Sequence, residues 1–304
     1  MIRNYKLLNE KITECPSSES TIQVIISPDD IEKRQLIDEL KLDEHTLNSS
    51  LDPDELSRLE FEPRHIALIY KRPKNFMYEG KIVFKIASTG LYLFQDKLLI
   101  VLSEDIPIFD NKLFLKVLSL PDLLLKMINR SIFHFLEHLR TINMISEELE
   151  DKINTSMENS YLLNLFTLGK SLVYYLNSIN SNGVLLEKLR LNNAKIGFNQ
   201  QELELLEDII IDNNQCYKEA EIYSNILASL MDARASIVGN NLNVLMKTLN
   251  IITIGIMVPT FVVSAFSMNV HIPLEDYPFS FWIIMAFAAI SVMGFFFFWK
   301  KKKW

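Results

Sequence analysis

The sequence predicts an α+β cytosolic domain, a long α-helical stalk and two C-terminal transmembrane helices. Three observations lead there. Thr248 to Leu274 contains no Asp, Glu, Lys or Arg, and neither does Tyr277 to Trp299, whereas the preceding residues are densely charged. Before Pro121 the chain alternates short β-rich runs with turn signals, and after it the runs become long and helix-periodic. The 49% hydrophobic content of the 304 residues is ordinary, so the class is carried by the distribution along the chain.

The first domain is expected over 1–120. "TIQVIIS", "HIALIYK", "KIVFKIAS", "LYLFQ" and "KLLIVLS" read as strands, and the acidic stretch from Pro28 to about Leu42 as a helix. Gly90 and the Gln95-Asp96 pair fall between β-rich runs and suggest adjacent antiparallel strands. A helical hairpin over 121–198 follows, its two arms joined by the polar segment Met157 to Ser160. From Asn199 a third helical run reaches the apolar region with no proline or stop signal, which predicts one helix of roughly 65 residues, about 100 Å long. Gly239 is its one interior break candidate before the apolar region.

The stalk (199–247) leads to span 1 (248–268), an outer loop (269–278), span 2 (279–299) and a basic tail (300–304). The charge-free runs of 27 and 23 residues reach about 40 and 35 Å as helices, against a hydrocarbon core of roughly 30 Å. Arg234 and Lys247 precede span 1 and Lys300 to Lys303 follow span 2, while the loop between has no Lys or Arg; both termini are therefore expected in the cytoplasm, with the loop outside. "MIRNYKLLNEKITEC" has no apolar core of a signal peptide. Cys15 and Cys216 form neither a disulfide framework nor a zinc spacing and are expected as reduced thiols. Residues 1–249 carry 36 acidic against 27 basic side chains, which argues against nucleic acid as a partner and favours cations.

Span 1 has a patterned face. Asn243, Met246, Asn250, Thr253, Met257, Thr260 and Ser264 recur at steps of 3 and 4, one helix edge, while the other positions are mostly Ile, Val, Phe and Leu. Two readings are open: polar residues that join helices, or the lining of a water-filled path. The second requires several copies with their edges inward, a homo-oligomer. Pro259 sets its ring against the carbonyl of Gly255, and either a modest bend or a tolerated proline follows.

"NVLMKTLNIITIGIMVPTFVVSAFSMN" resembles the first membrane helix of CorA-type divalent-cation channels, which ends in Gly-Met-Asn, and "KSLVYYLNSINSNGVLLEKL" is similar to a cytosolic hairpin of that family. The order of segments also agrees. The resemblance implies a funnel-shaped pentamer in the cell membrane that passes Mg²⁺, with Zn²⁺, Co²⁺ or Ni²⁺ moved by some branches. It implies pore positions at Asn243, Met246, Leu249, Met257, Thr260, Ser264 and Asn269, with Ser267-Met268-Asn269 as the signature. Ser267 stands where the family has Gly, so either the mouth is built differently or selectivity has shifted. Gating by cytosolic Mg²⁺ is a family property, and the matching acidic positions are Asp110 and Asp208, with Asp232 a third.

These residues suit the chemistry. Mg²⁺ dehydrates reluctantly, so a fast path binds the hydrated ion through neutral acceptors such as Asn269, Thr260, Thr253 and Asn250. No carboxylate lies between Lys247 and Glu275. Glu275 and Asp276 in the outer loop either concentrate cations or are merely solvated. Met246, Leu249 and Met257 form apolar constrictions or pack the axis. His134, Glu137 and His138 spell H-x-x-E-H, but no third zinc ligand is identifiable and both histidines are expected on a helix surface. No Gly-rich phosphate loop or nucleophile triad occurs, so the chain is expected not to be an enzyme and the flow to be passive. The alternatives are a Zn²⁺, Co²⁺ or Ni²⁺ transporter of the same fold, with or without a proton gradient, and a membrane-anchored scaffold or sensor.

Overall fold

The computed structural model describes residues 1–78, 81–155, 159–268, 270 and 277–301. The chain forms two compact units, Met1–Met231 and Asp232–Trp304.

The first unit is built on a seven-stranded sheet, ordered β2-β1-β3-β7-β6-β5-β4. Its strands are β1 (Ile2–Leu8), β2 (Lys11–Glu14), β3 (Ile22–Ile26), β4 (Arg58–Phe61), β5 (Ile66–Tyr78), β6 (Lys81–Leu93) and β7 (Leu98–Leu102). The β3–β7 pair is parallel and every other pair antiparallel. Both faces of β7 are buried, which explains its unbroken "LLIVL". Leu98, Ile100 and Leu102 face the larger core, and Leu99 and Val101 the smaller one, under α1 (Asp30–Leu40) and α2 (Glu44–Ser49). Asp29 and Glu32 close a capping box at the start of α1.

Two expectations change here. "KIVFKIAS" and "LYLFQ" belong to one strand, β6, with Gly90 inside it rather than at a turn. A Cβ at Gly90 would lie 2.5 Å from Ser50 Cβ, so the glycine admits the end of α2. The Gln95-Asp96 turn does join antiparallel strands, with Phe94 N–H donating to Lys97 O at 2.8 Å. β1 and the edge strands β2 and β4 carry no clear alternation, because polar side chains break their pattern; Asn9 and Glu10, both at positive φ, form the two-residue β1–β2 turn.

The larger core lies between the sheet and the helices α3 (Leu120–Thr155), α4 (Asn159–Leu191) and α6 (Gln200–Ala265), with the short α5 (Asn193–Ile196) before α6. Asn182, fully buried on α4, accepts from Lys71 N–H and Ser57 Oγ and donates to Lys71 O, each at 2.8 Å. It thereby replaces a neighbouring strand where β5 has run past β4. Asn199 and Glu202 cap α6 reciprocally, at 2.9 and 2.8 Å, and Glu202 also accepts from Ser119 Oγ beside the start of α3. The single 66-residue α6 is as the sequence predicts, and it runs unbroken through Gly239 and Pro259. Both thiols are free. Burial pushes the Cys216 thiol up to about 12, so it is inert.

Candidate functional site

The second unit holds the C-terminal part of α6 and α7 (Ser280–Lys301), the two helices long and apolar enough to cross a membrane. Their packing assigns the faces of α6. Ile251, Gly255, Val258, Pro259, Val262 and Phe266 are half-buried, and α7 presents Ile284, buried Ala288, Val292 and Phe295 at matching helical spacing. A Cβ on Gly255 would sit 3.6 Å from the Phe295 ring, and Phe266 stacks on Phe287 with centroids 6.2 Å apart. Small residues thus bring the two backbones together.

Asn243, Met246, Asn250, Thr253, Met257, Thr260 and Ser264 are all exposed, as is Leu249. At 3.6 residues per turn this edge and the α7-covered face point roughly 160° apart. The polar edge is therefore free of α7, and the apolar partner lies on the opposite side. The hydroxyls along it are oriented by the helix: Thr253 Oγ1 donates to Leu249 O at 2.8 Å and Thr260 Oγ1 to Ile256 O at 2.7 Å. With the proton turned inward, each oxygen presents lone pairs outward, the polarity that accepts from the waters of a hydrated cation.

α6 ends at Ala265, and Ser267 occupies the turn beyond it. The non-glycine residues at positive φ, among those described, are Asn9, Glu10, Ser27 and Lys41. Ser267 thus avoids the left-handed region that a glycine permits. Its N–H and Oγ both bond Ser264 O at 3.1 Å, so the serine caps the helix end. Met268 is exposed beside it. Asn269, Glu275 and Asp276 lie outside the described residues.

Asp110 is exposed but paired with Arg130 at 2.7 Å, and Asp208 and Asp232 are exposed on α6. Asp212 has its carboxyl raised by burial and then by the neighbouring Asp208 charge. No group of three His, Cys, Asp or Glu side chains suited to a metal occurs among the described residues. The expectation of surface histidines in H-x-x-E-H is overturned for His138. It is buried against α4, its Nδ1 2.6 Å from Tyr175 Oη, and desolvation lowers it to about 4. His134 stacks edge-on against it at 4.4 Å, a core motif instead of a zinc site. The Lys71–Asn182–Ser57 network has no sequence signature, because an Asn amid "YYLNSINSNG" gives no signal of burial.

A profile of the CorA-like Mg²⁺ transporter family matches residues 23–301, both units included. The chain belongs to that family. This CorA-like chain is 26% identical over 287 residues to the cobalt/magnesium transport protein CorA of Methanocaldococcus jannaschii, covering 91% of this chain and 89% of the relative. The complete CorA magnesium transporter structure from the same organism superposes with a TM-score of 0.80 at 22% identity, over 98% of this chain and 96% of that one. The full-length CmaX protein superposes with a TM-score of 0.71 at 14% identity, over 98% and 90%. Family membership makes the chain a membrane-embedded divalent-cation transporter, in a family of transporters instead of enzymes.

Proposed function

We propose that the chain is a passive Mg²⁺ channel, built from identical copies whose α6 edges surround a common axis. The observation that carries this reading is the free polar edge opposite α7: a two-helix hairpin that faced only lipid would have no use for it. Each copy contributes Asn243, Asn250, Thr253, Thr260 and Ser264 as neutral acceptors for hydrated Mg²⁺. Met246, Leu249 and Met257 narrow the path, and Ser267, Met268 and Asn269 form its mouth, below Glu275 and Asp276. Neutral rings bind the ion weakly enough for release.

Five copies and a plasma-membrane location, with both termini in the cytoplasm and spans at 248–268 and 279–299, follow from the family resemblance and the lysine distribution. Cytosolic Mg²⁺ closes the path by bridging carboxylates of neighbouring copies at Asp110, Asp208 or Asp232. Oxygen donors suit Mg²⁺, but no three such side chains come together among the described residues of one chain, so the regulatory site is completed by a second copy. The relative named for cobalt and magnesium supports Co²⁺ as a second cargo; Zn²⁺ and Ni²⁺ stand as competitors. The decisive experiment is Mg²⁺ influx into liposomes bearing wild type or Asn269→Ala, with Co²⁺, Zn²⁺ and Ni²⁺ as competitors. Equal influx in both removes the mouth from the mechanism, and absence of any influx leaves only a membrane tether.

A further inference from the structure

The first unit contains a basic cavity lined by none of the residues assigned to the pore. It measures about 260 Å³ and lies between β5, β7, α3 and the 104–108 loop. Leu102, Ile106, Phe114 and Met127 give it apolar walls, while Arg72, Lys74 and Arg130 bring three cations to it and Glu104 one carboxylate.

The charges do not balance. Arg130 is committed to Asp110 and to the carbonyls of Pro107 and Ile108. Arg72 and Lys74 share the single Glu104, at 2.8 and 2.6 Å, so one positive charge is left unanswered there. This occurs in a region with an acidic excess, residues 1–249 holding 36 acidic and 27 basic side chains. Arg72 is only 7% exposed, and its Nε finds no acceptor among the described residues. A desolvated cation without a full counter-charge is costly unless an anion supplies one. Lys74, less buried, stands on the side open to solvent.

We propose that this cavity binds a small organic monocarboxylate, its carboxylate held by Arg72 and Lys74 and its apolar body against Leu102, Ile106, Phe114 and Met127. The guanidinium fork matches a carboxylate, and the walls favour a compact apolar remainder over a free inorganic ion.

The test is calorimetric titration of the full-length, detergent-solubilised protein with benzoate, beside neutral benzamide, phenyl phosphate and inorganic phosphate. Saturable benzoate binding is expected, with none for benzamide, and a weakening of about tenfold or more in Lys74→Gln and in Arg72→Lys, which keeps the charge and loses the fork. Lys74 is exposed enough for its variant to fold, which a thermal melt verifies. Absence of saturable benzoate binding to folded wild type overturns the proposal, as does binding indifferent to both substitutions. Binding of phenyl phosphate or inorganic phosphate without benzoate refutes the carboxylate assignment.

Discussion

Asn182 and Lys71 pair as two strands would, the amide side chain exchanging both hydrogen bonds with the Lys71 backbone at 2.8 Å. A side chain on a helix thus completes the edge of a sheet, and the docking of α4 onto β5 depends on it. Asn182→Ala leaves the Lys71 N–H and C=O buried and unmatched. A loss of about 2–4 kcal/mol is expected, read as a lower melting temperature of the detergent-solubilised protein. Asn182→Asp keeps the acceptor and loses the donor, so it fails to restore the wild-type melt.

Lys71 itself is a buried cation. Its Nζ donates to Pro53 O at 2.9 Å and Ser88 Oγ at 2.7 Å, and burial lowers it from its ordinary value to about 8. Between pH 8 and the ordinary lysine range near 10.5 the unfolded chain holds a proton that the folded chain has lost. Stability from this group therefore rises with pH across that window and is lost as pH falls toward 8. Melting curves at about pH 8, 9 and 10, inside the window, should show a steeper rise for wild type than for Lys71→Met. Parallel slopes would refute the assignment.

Gly90 sits where a methyl group would meet Ser50 Cβ at 2.5 Å. Gly90→Ala is expected to destabilise by about 1–3 kcal/mol through overpacking. Adding Ser50→Gly should recover part of that loss, because it removes the atom in the way, and a strictly additive double mutant would show that the two sites do not touch.

On the free edge of α6, Thr260→Val preserves shape and removes the outward lone pairs. Mg²⁺ influx is expected to fall about tenfold, the effect of one lost hydrogen-bond term of about 1.4 kcal/mol, with assembly unchanged by size-exclusion chromatography. Met293→Leu, an exposed position on α7, should leave influx at the wild-type level.

Ser267→Gly tests the departure from the family signature. Ser267 does not use positive φ, so the glycine gains no conformational relief and loses the bond to Ser264 O. The variant should transport and melt slightly lower, by about 0.5–1 kcal/mol in stability. A large gain in influx would mean instead that the serine restrains the mouth.

The long elements were legible because their signals are periodic and sustained. The 66-residue α6 has no proline before the apolar run and an Asn-x-x-Glu start, and the polar edge reads directly as steps of 3 and 4. β1 and the short edge strands β2 and β4 were not, since their half-exposed faces mix polar and apolar residues and their place in the sheet is decided by partners elsewhere in the chain. His138, expected on a helix surface, is instead buried against Tyr175, a contact that no local pattern encodes.

By itself the sequence determined which stretches are long and apolar enough to cross a membrane and which edge of α6 is polar, since both follow from local residue types and helical period. Only the tertiary structure decided which side of that helix α7 covers, that Asn182 substitutes for a strand, and that Arg72 is buried with an idle donor. Those facts depend on contacts between residues far apart in the chain, and no local pattern encodes which buried polar group will find a partner.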